Sequence, residues 1–126
     1  MKSKLYVLED VFTIHRFPPD NEIPIWLFDG PFCHITKTVD EISVICSSSV
    51  QLNSTKSETG WSCIKVLGPL DLNLTGILAD VLKVLAKAKI SIIALSTFDT
   101  DYILVKSDQV KSAIHSLRQA EYHFEQ

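Results

Sequence analysis

Glycine is scarce in this chain. Its 126 residues hold only Gly30, Gly60, Gly68 and Gly76, too few and too scattered for a GxGxxG or GxxxxGK[ST] loop, so nucleotide binding through such a loop is excluded. Long apolar runs are also missing. The strongest, residues 90–95, is broken by Ser91 and falls far short of the roughly 20 residues that a membrane helix needs. The opening MKSKLYVLEDV reaches Glu9 and Asp10 before any apolar stretch develops, which is not the pattern of a signal peptide. The three cysteines, Cys33, Cys46 and Cys63, form an odd set without CxxC spacing, as expected of buried thiols in a reduced, cytoplasmic protein. No charge of one sign dominates. Twelve Lys and Arg against fifteen Asp and Glu give a formal net charge of −3 with no basic stripe, so neither nucleic acid nor a membrane is an expected partner.

Catalytic and metal-binding patterns are absent as well. His15, His34, His115 and His123 are widely spaced and form no ligand pair, which predicts no metal. Neither Cys46 nor Cys63 has a neighbouring histidine or an electropositive setting that would make it a nucleophile. The residues therefore imply a protein that is not an enzyme and carries no cofactor.

What is present is the material of a folded domain. A hydrophobic fraction of 46% with 21% charged residues suits one compact domain or two very small subdomains. Runs rich in Val, Ile, Phe and Thr predict strands over residues 5–8, 11–17, 32–38 and 41–46. In the third run Phe32, His34, Thr36 and Thr38 alternate with Cys33, Ile35, Lys37 and Val39, the period of a strand with two unlike faces. Pro18, Pro19 and Pro24 restrict the segment between the second and third runs to at most one helical turn. Residues 47–59 are polar and read as a linker or a short exposed helix.

The second half has a clearer rhythm. A strand is predicted over 61–67 and a helix over 74–88, with Ile77, Leu78, Val81, Leu82 and Leu85 at amphipathic spacing. Strands over 90–96 and 102–106 follow, joined by a turn at 99–101. Ser107 and Asp108 are expected to cap a closing helix whose apolar face holds Val110, Ile114 and Leu117. The order βαββα is the ferredoxin-like plan without its last strand. The first half can be laid over the same plan, with the proline-rich segment in place of one helix and residues 50–57 as a stunted second one. A strand from one half is a candidate to complete the sheet of the other.

Two segments carry binding potential. Gly68-Pro-Leu-Asp-Leu-Asn-Leu-Thr-Gly-Ile-Leu joins a strand to a helix start, where free backbone N–H groups and the positive end of the helix dipole stabilise a carboxylate. Asp71 and Asn73 could there accept hydrogen bonds from an ammonium group, or they only cap the helix while Gly76 only permits close packing. In Ser96-Thr-Phe-Asp-Thr-Asp-Tyr, Asp99 and Asp101 could hold a cation or serve as ordinary turn residues.

At GPLD, LTGILA and the SIIALSTFDTDYILV run, residues 61–117 resemble the ACT domain of a group of small bacterial two-domain proteins. That group is related to aspartokinase regulatory domains and to the cytosolic arginine sensors of animals. HRFPPDNEIPIW with FCHITKTVDEISVIC is similar to the group's degenerate first half. The resemblance implies an α+β fold of two ferredoxin-like ACT units of the βαββαβ type, with antiparallel sheets and helices on one face. Residues 1–60 would form the degenerate N-terminal unit and 61–126 the C-terminal ACT domain. It also implies a regulatory, allosteric role, a small-molecule effector such as an amino acid as partner, a regulated protein partner, and a homodimer or larger even assembly. Carried onto this sequence, the effector site comprises Asp71, Asn73, Leu74, Thr75, Gly76, Ile77 and Leu78, faced by Thr97, Phe98 and Asp101. The loop backbone would take the carboxylate and Asp101 the ammonium. An apolar Leu74 removes a partner for guanidinium, so arginine fits poorly and an apolar or small amino acid at least as well. ACT-like domains can also serve purely as dimerisation surfaces.

Overall fold

A computed structural model describes residues 2–68 and 76–125. The described elements are β1 (Lys4–Val7), β2 (Phe12–Phe17), β3 (Cys33–Lys37), β4 (Ile42–Ser47), β5 (Lys56–Val66), α1 (Ile77–Lys87), β6 (Ile92–Ser96), β7 (Asp101–Lys106), α2 (Val110–Gln119) and β8 (His123–Glu125). None of the described helices is long and apolar enough to cross a membrane. The chain divides into two compact units, Asp10–Gly60 and a larger one made of Met1–Glu9 with Trp61–Gln126.

This division departs from a single cut after residue 60. The strand β1 belongs to the larger unit because its backbone pairs there on both edges: antiparallel to β5, with Leu5 opposite Val66, and parallel to β8, with Leu5 opposite Phe124. The same pairing corrects the reading that the ferredoxin-like order lacks its last strand. β8 supplies it, and β1–β8 is a parallel pair in an otherwise antiparallel arrangement of β5, β7 and β6.

Alternation along these strands turns Leu5, Ile64, Val66, Ile103 and Val105 toward one face, where Val81 and Leu85 of α1 and Ala113 and Leu117 of α2 cover them. Both helices end in the same way. Lys89 and Glu121 adopt φ of 60° and 74°, and the next residue's N–H reaches back to close a Schellman motif, Ile90 to Leu85 (3.1 Å) and Tyr122 to Leu117 (3.0 Å). All four of those side chains are buried, so each helix stop is also a core contact.

In the smaller unit, β4 lies between β2 and β3, antiparallel to both. Phe17, Ile42, Val44 and Cys46 face Leu27, which a short 3₁₀ segment at Ile25–Asp29 brings onto them. The prolines thus permit one turn of that kind and no more. No helix forms over residues 50–57; instead β5 already begins at Lys56. Hydroxyls tie that stretch down, since Thr13 Oγ1 lies 2.7 Å from Ser48 Oγ and donates to Thr59 Oγ1 at 3.0 Å. Ser107 and Asp108 do not cap α2. They form a 3₁₀ turn, Ser107–Gln109, whose Ser107 carbonyl accepts the Val110 N–H, while the Ser107 hydroxyl pairs with that of Ser62 at 2.9 Å.

Candidate functional site

Asp71, Asn73, Leu74 and Thr75 lie outside the described residues. Of the remaining candidates, Gly76, Ile77 and Leu78 lie at the start of α1, and Thr97, Phe98 and Asp101 lie at the β6–β7 turn, near the end of β5, where Lys65 is the register partner of Tyr102 and Ser96 of Asp101.

Gly76 occupies the N-cap position of α1 with φ of +83°, a conformation that L side chains adopt only under strain. A Cβ built on Gly76 would meet nothing within 4 Å, so close packing is not the reason for glycine there; the left-handed backbone is. The described helix begins at Ile77, directly after that glycine, and the expected start at residue 74 lies outside the described residues. Among the described residues no side chain caps α1, and its first N–H groups have no acceptor within the helix. Ile77 and Leu78 pack their side chains on the core, which leaves their backbone as what they offer to a ligand.

The facing turn is held by its threonines. The Thr97 N–H and hydroxyl both donate to the Thr100 carbonyl (2.8 and 3.1 Å), and the Thr100 N–H donates to Thr97 Oγ1 at 3.2 Å. The buried Thr100 hydroxyl donates to the Val66 carbonyl, which fastens the turn to the end of β5. Sequence reasoning missed Thr100. Only its place between two aspartates marked it. Asp101 accepts a hydrogen bond from Ser96 Oγ through Oδ1, and Phe98 stands 79% exposed in the same turn.

One charged cluster borders α1. Tyr122, itself buried, donates its phenolic hydrogen bond to Asp80 Oδ2 in the helix's first turn, and Lys2 Nζ lies 3.5 Å from the same oxygen while donating to the Ala120 carbonyl at 2.6 Å. The Tyr122 hydrogen bond, followed by the Lys2 charge, holds the Asp80 carboxyl below its ordinary value; burial and Asp80 push the Tyr122 phenol well up. Burial also raises the thiols, Cys46 to about 11 and Cys63 to about 12. Such thiols are poor nucleophiles. Among the described residues no three His, Cys, Asp or Glu side chains could together hold a metal ion.

A family model described as ACT domain matches residues 56–119, and a second, described as an N-terminal domain, matches residues 10–50. A solved protein from Agrobacterium tumefaciens is 33% identical over 99% of this chain and 93% of its own, with a TM-score of 0.90. A Vibrio cholerae protein of unknown function, 16% identical, matches over 92% of this chain and 88% of its own with a TM-score of 0.71. The aspartate kinase of Clostridium acetobutylicum, 15% identical, shares the fold over 89% of this chain and 33% of its own, with a TM-score of 0.66. None of the curated proteins compared with the chain matches it.

Proposed function

We propose that this chain, which belongs to the ACT domain family, is a non-catalytic cytoplasmic regulatory module that binds an amino acid at the start of α1. The loop backbone before the helix receives the carboxylate, and Asp101 receives the ammonium. One observation supports the reading: Thr97, Phe98 and Asp101 belong to one turn region, which Thr100 fastens to Val66 at the end of β5, where the chain leaves the sheet toward α1. A carboxylate with a free oxygen beside a helix N-terminus suits a ligand that carries both charges. Asp101 uses Oδ1 for Ser96 and no described hydrogen bond or ion pair engages Oδ2. The related fold in an enzyme described as allosteric supports a regulatory role.

Binding of the effector would act by shifting the affinity of a partner, a second copy of the chain or a regulated protein. Calorimetric titration with each common amino acid tests the proposal. One saturable heat is expected; twenty flat titrations with a stable dimer would instead identify a dimerisation module without a ligand.

A further inference from the structure

A concavity of about 270 Å³ lies in the larger unit, between α2 and the β1–β8 edge. Among the described residues β1 pairs with β8 from Lys4 opposite His123 to Tyr6 opposite Glu125, and β1 extends to Val7. Ile114 and Arg118, four residues apart and so on one stripe of α2, line the concavity from above, about 100° round the helix from the core residues Ala113 and Leu117. Val7, Ile114 and Phe124 make the concavity apolar within. Charge gathers at its rim as Glu9, Arg118 and Glu125, with the Arg118 guanidinium 5.6 Å over the Phe124 ring.

The charges are not spent on one another. Glu125 approaches Lys4 at 3.5 Å, but among the described residues neither Arg118 nor Glu9 has an ion-pair partner. The volume is just below the roughly 300–1,000 Å³ of drug-sized pockets, which suits one small metabolite. We infer that this concavity is a second small-molecule site, selective for a free amino acid with an apolar side chain. Arg118 takes the carboxylate, for which its planar fork is suited, Glu9 and Glu125 take the ammonium, and Val7, Ile114 and Phe124 take the side chain. The site shares no residue with the helix-entry site, so either can exist without the other.

Backbone amide NMR of the full chain titrated with L-leucine, L-isoleucine and L-phenylalanine tests this. At least one should move the signals of Val7, Glu9, Ile114 and Phe124 in a saturable way. Arg118→Gln and Glu9→Gln, both at exposed positions, should each weaken that binding by about 10- to 100-fold with the rest of the spectrum unchanged. The amide of the same amino acid, which lacks the carboxylate, should bind the unaltered protein as weakly as the amino acid binds Arg118→Gln. Asp101→Asn should leave these signals unaffected. Movement confined to Gly76 and residues 97–101 would overturn the second site and leave the helix-entry site standing. No movement at Val7, Glu9, Ile114 or Phe124 with any of the three would also overturn it.

Discussion

Thr100 donates its hydroxyl hydrogen bond to the backbone carbonyl of Val66, so the β6–β7 turn and the end of β5 are held as one piece. The donor is buried, and the contact joins residues 34 positions apart at the point where the chain leaves the sheet for α1.

Thr100→Val keeps the shape of the side chain and removes the donor. The cost is that of an unsatisfied buried acceptor, about 1–3 kcal/mol, and urea unfolding should show a lower midpoint with an unchanged slope. An unchanged midpoint would mean that the Val66 carbonyl is satisfied without Thr100.

Tyr122→Phe removes the hydrogen bond to Asp80 and should change how stability depends on pH at both ends. Asp80 titrates below its ordinary value in the folded protein, so its contribution is present above about pH 4 and is lost as pH falls through the folded value. The raised Tyr122 phenol adds stability that is complete below about pH 10 and declines as pH rises further. The variant should have a flatter acid limb and no tyrosine-linked loss in alkali. Unfolding midpoints measured from pH 3 to 5 and from pH 9 to 11 check both limbs.

The helices were legible because Val81 and Leu85, like Ala113 and Leu117, fall at the spacing that one covered face requires. Their ends were less so. A left-handed Gly76 and a left-handed Lys89 set the limits of α1, and neither has a periodic signature. β8 and the placement of β1 were illegible for a different reason: Leu5 meets Val66 and Phe124 across most of the chain, and a strand as short as β8 has no pattern to read. Of the candidate site, Thr97, Phe98 and Asp101 share the turn between β6 and β7, while Asp71, Asn73, Leu74 and Thr75 lie outside the described residues. The part played by Thr100 rests on a contact to a backbone oxygen, which side-chain identities do not encode.

His15 gives the smaller unit an acid-sensitive point. Its ring lies opposite Val44 with Nδ1 2.9 Å from Ser54 Oγ, and the buried Nε2 has no partner among the described residues. Burial lowers its basicity, so the neutral ring's contribution is full above about pH 6.5 and is lost as pH falls through the folded value. Between pH 6.5 and 5 stability should fall by at most about 1.4 kcal/mol per pH unit on this account. His15→Leu should remove that slope. Urea midpoints that decline equally in both proteins would assign the acid sensitivity elsewhere.

Asp101→Asn separates a carboxylate that serves the turn from one that serves a ligand. The turn does not depend on the charge, because Thr97 and Thr100 hold it through three hydrogen bonds between them and Ser96 needs only an oxygen acceptor, which asparagine retains. Melting should therefore change little. An ammonium group facing the remaining carboxylate oxygen would lose a charge-assisted hydrogen bond of about 1.5–3 kcal/mol, equivalent to roughly 10- to 100-fold in affinity. The comparison uses whichever amino acid gives a saturable heat in the calorimetric titration. Weakened binding with unchanged melting is the expected result, whereas unchanged affinity would make Asp101 a turn residue and move the ammonium away from it.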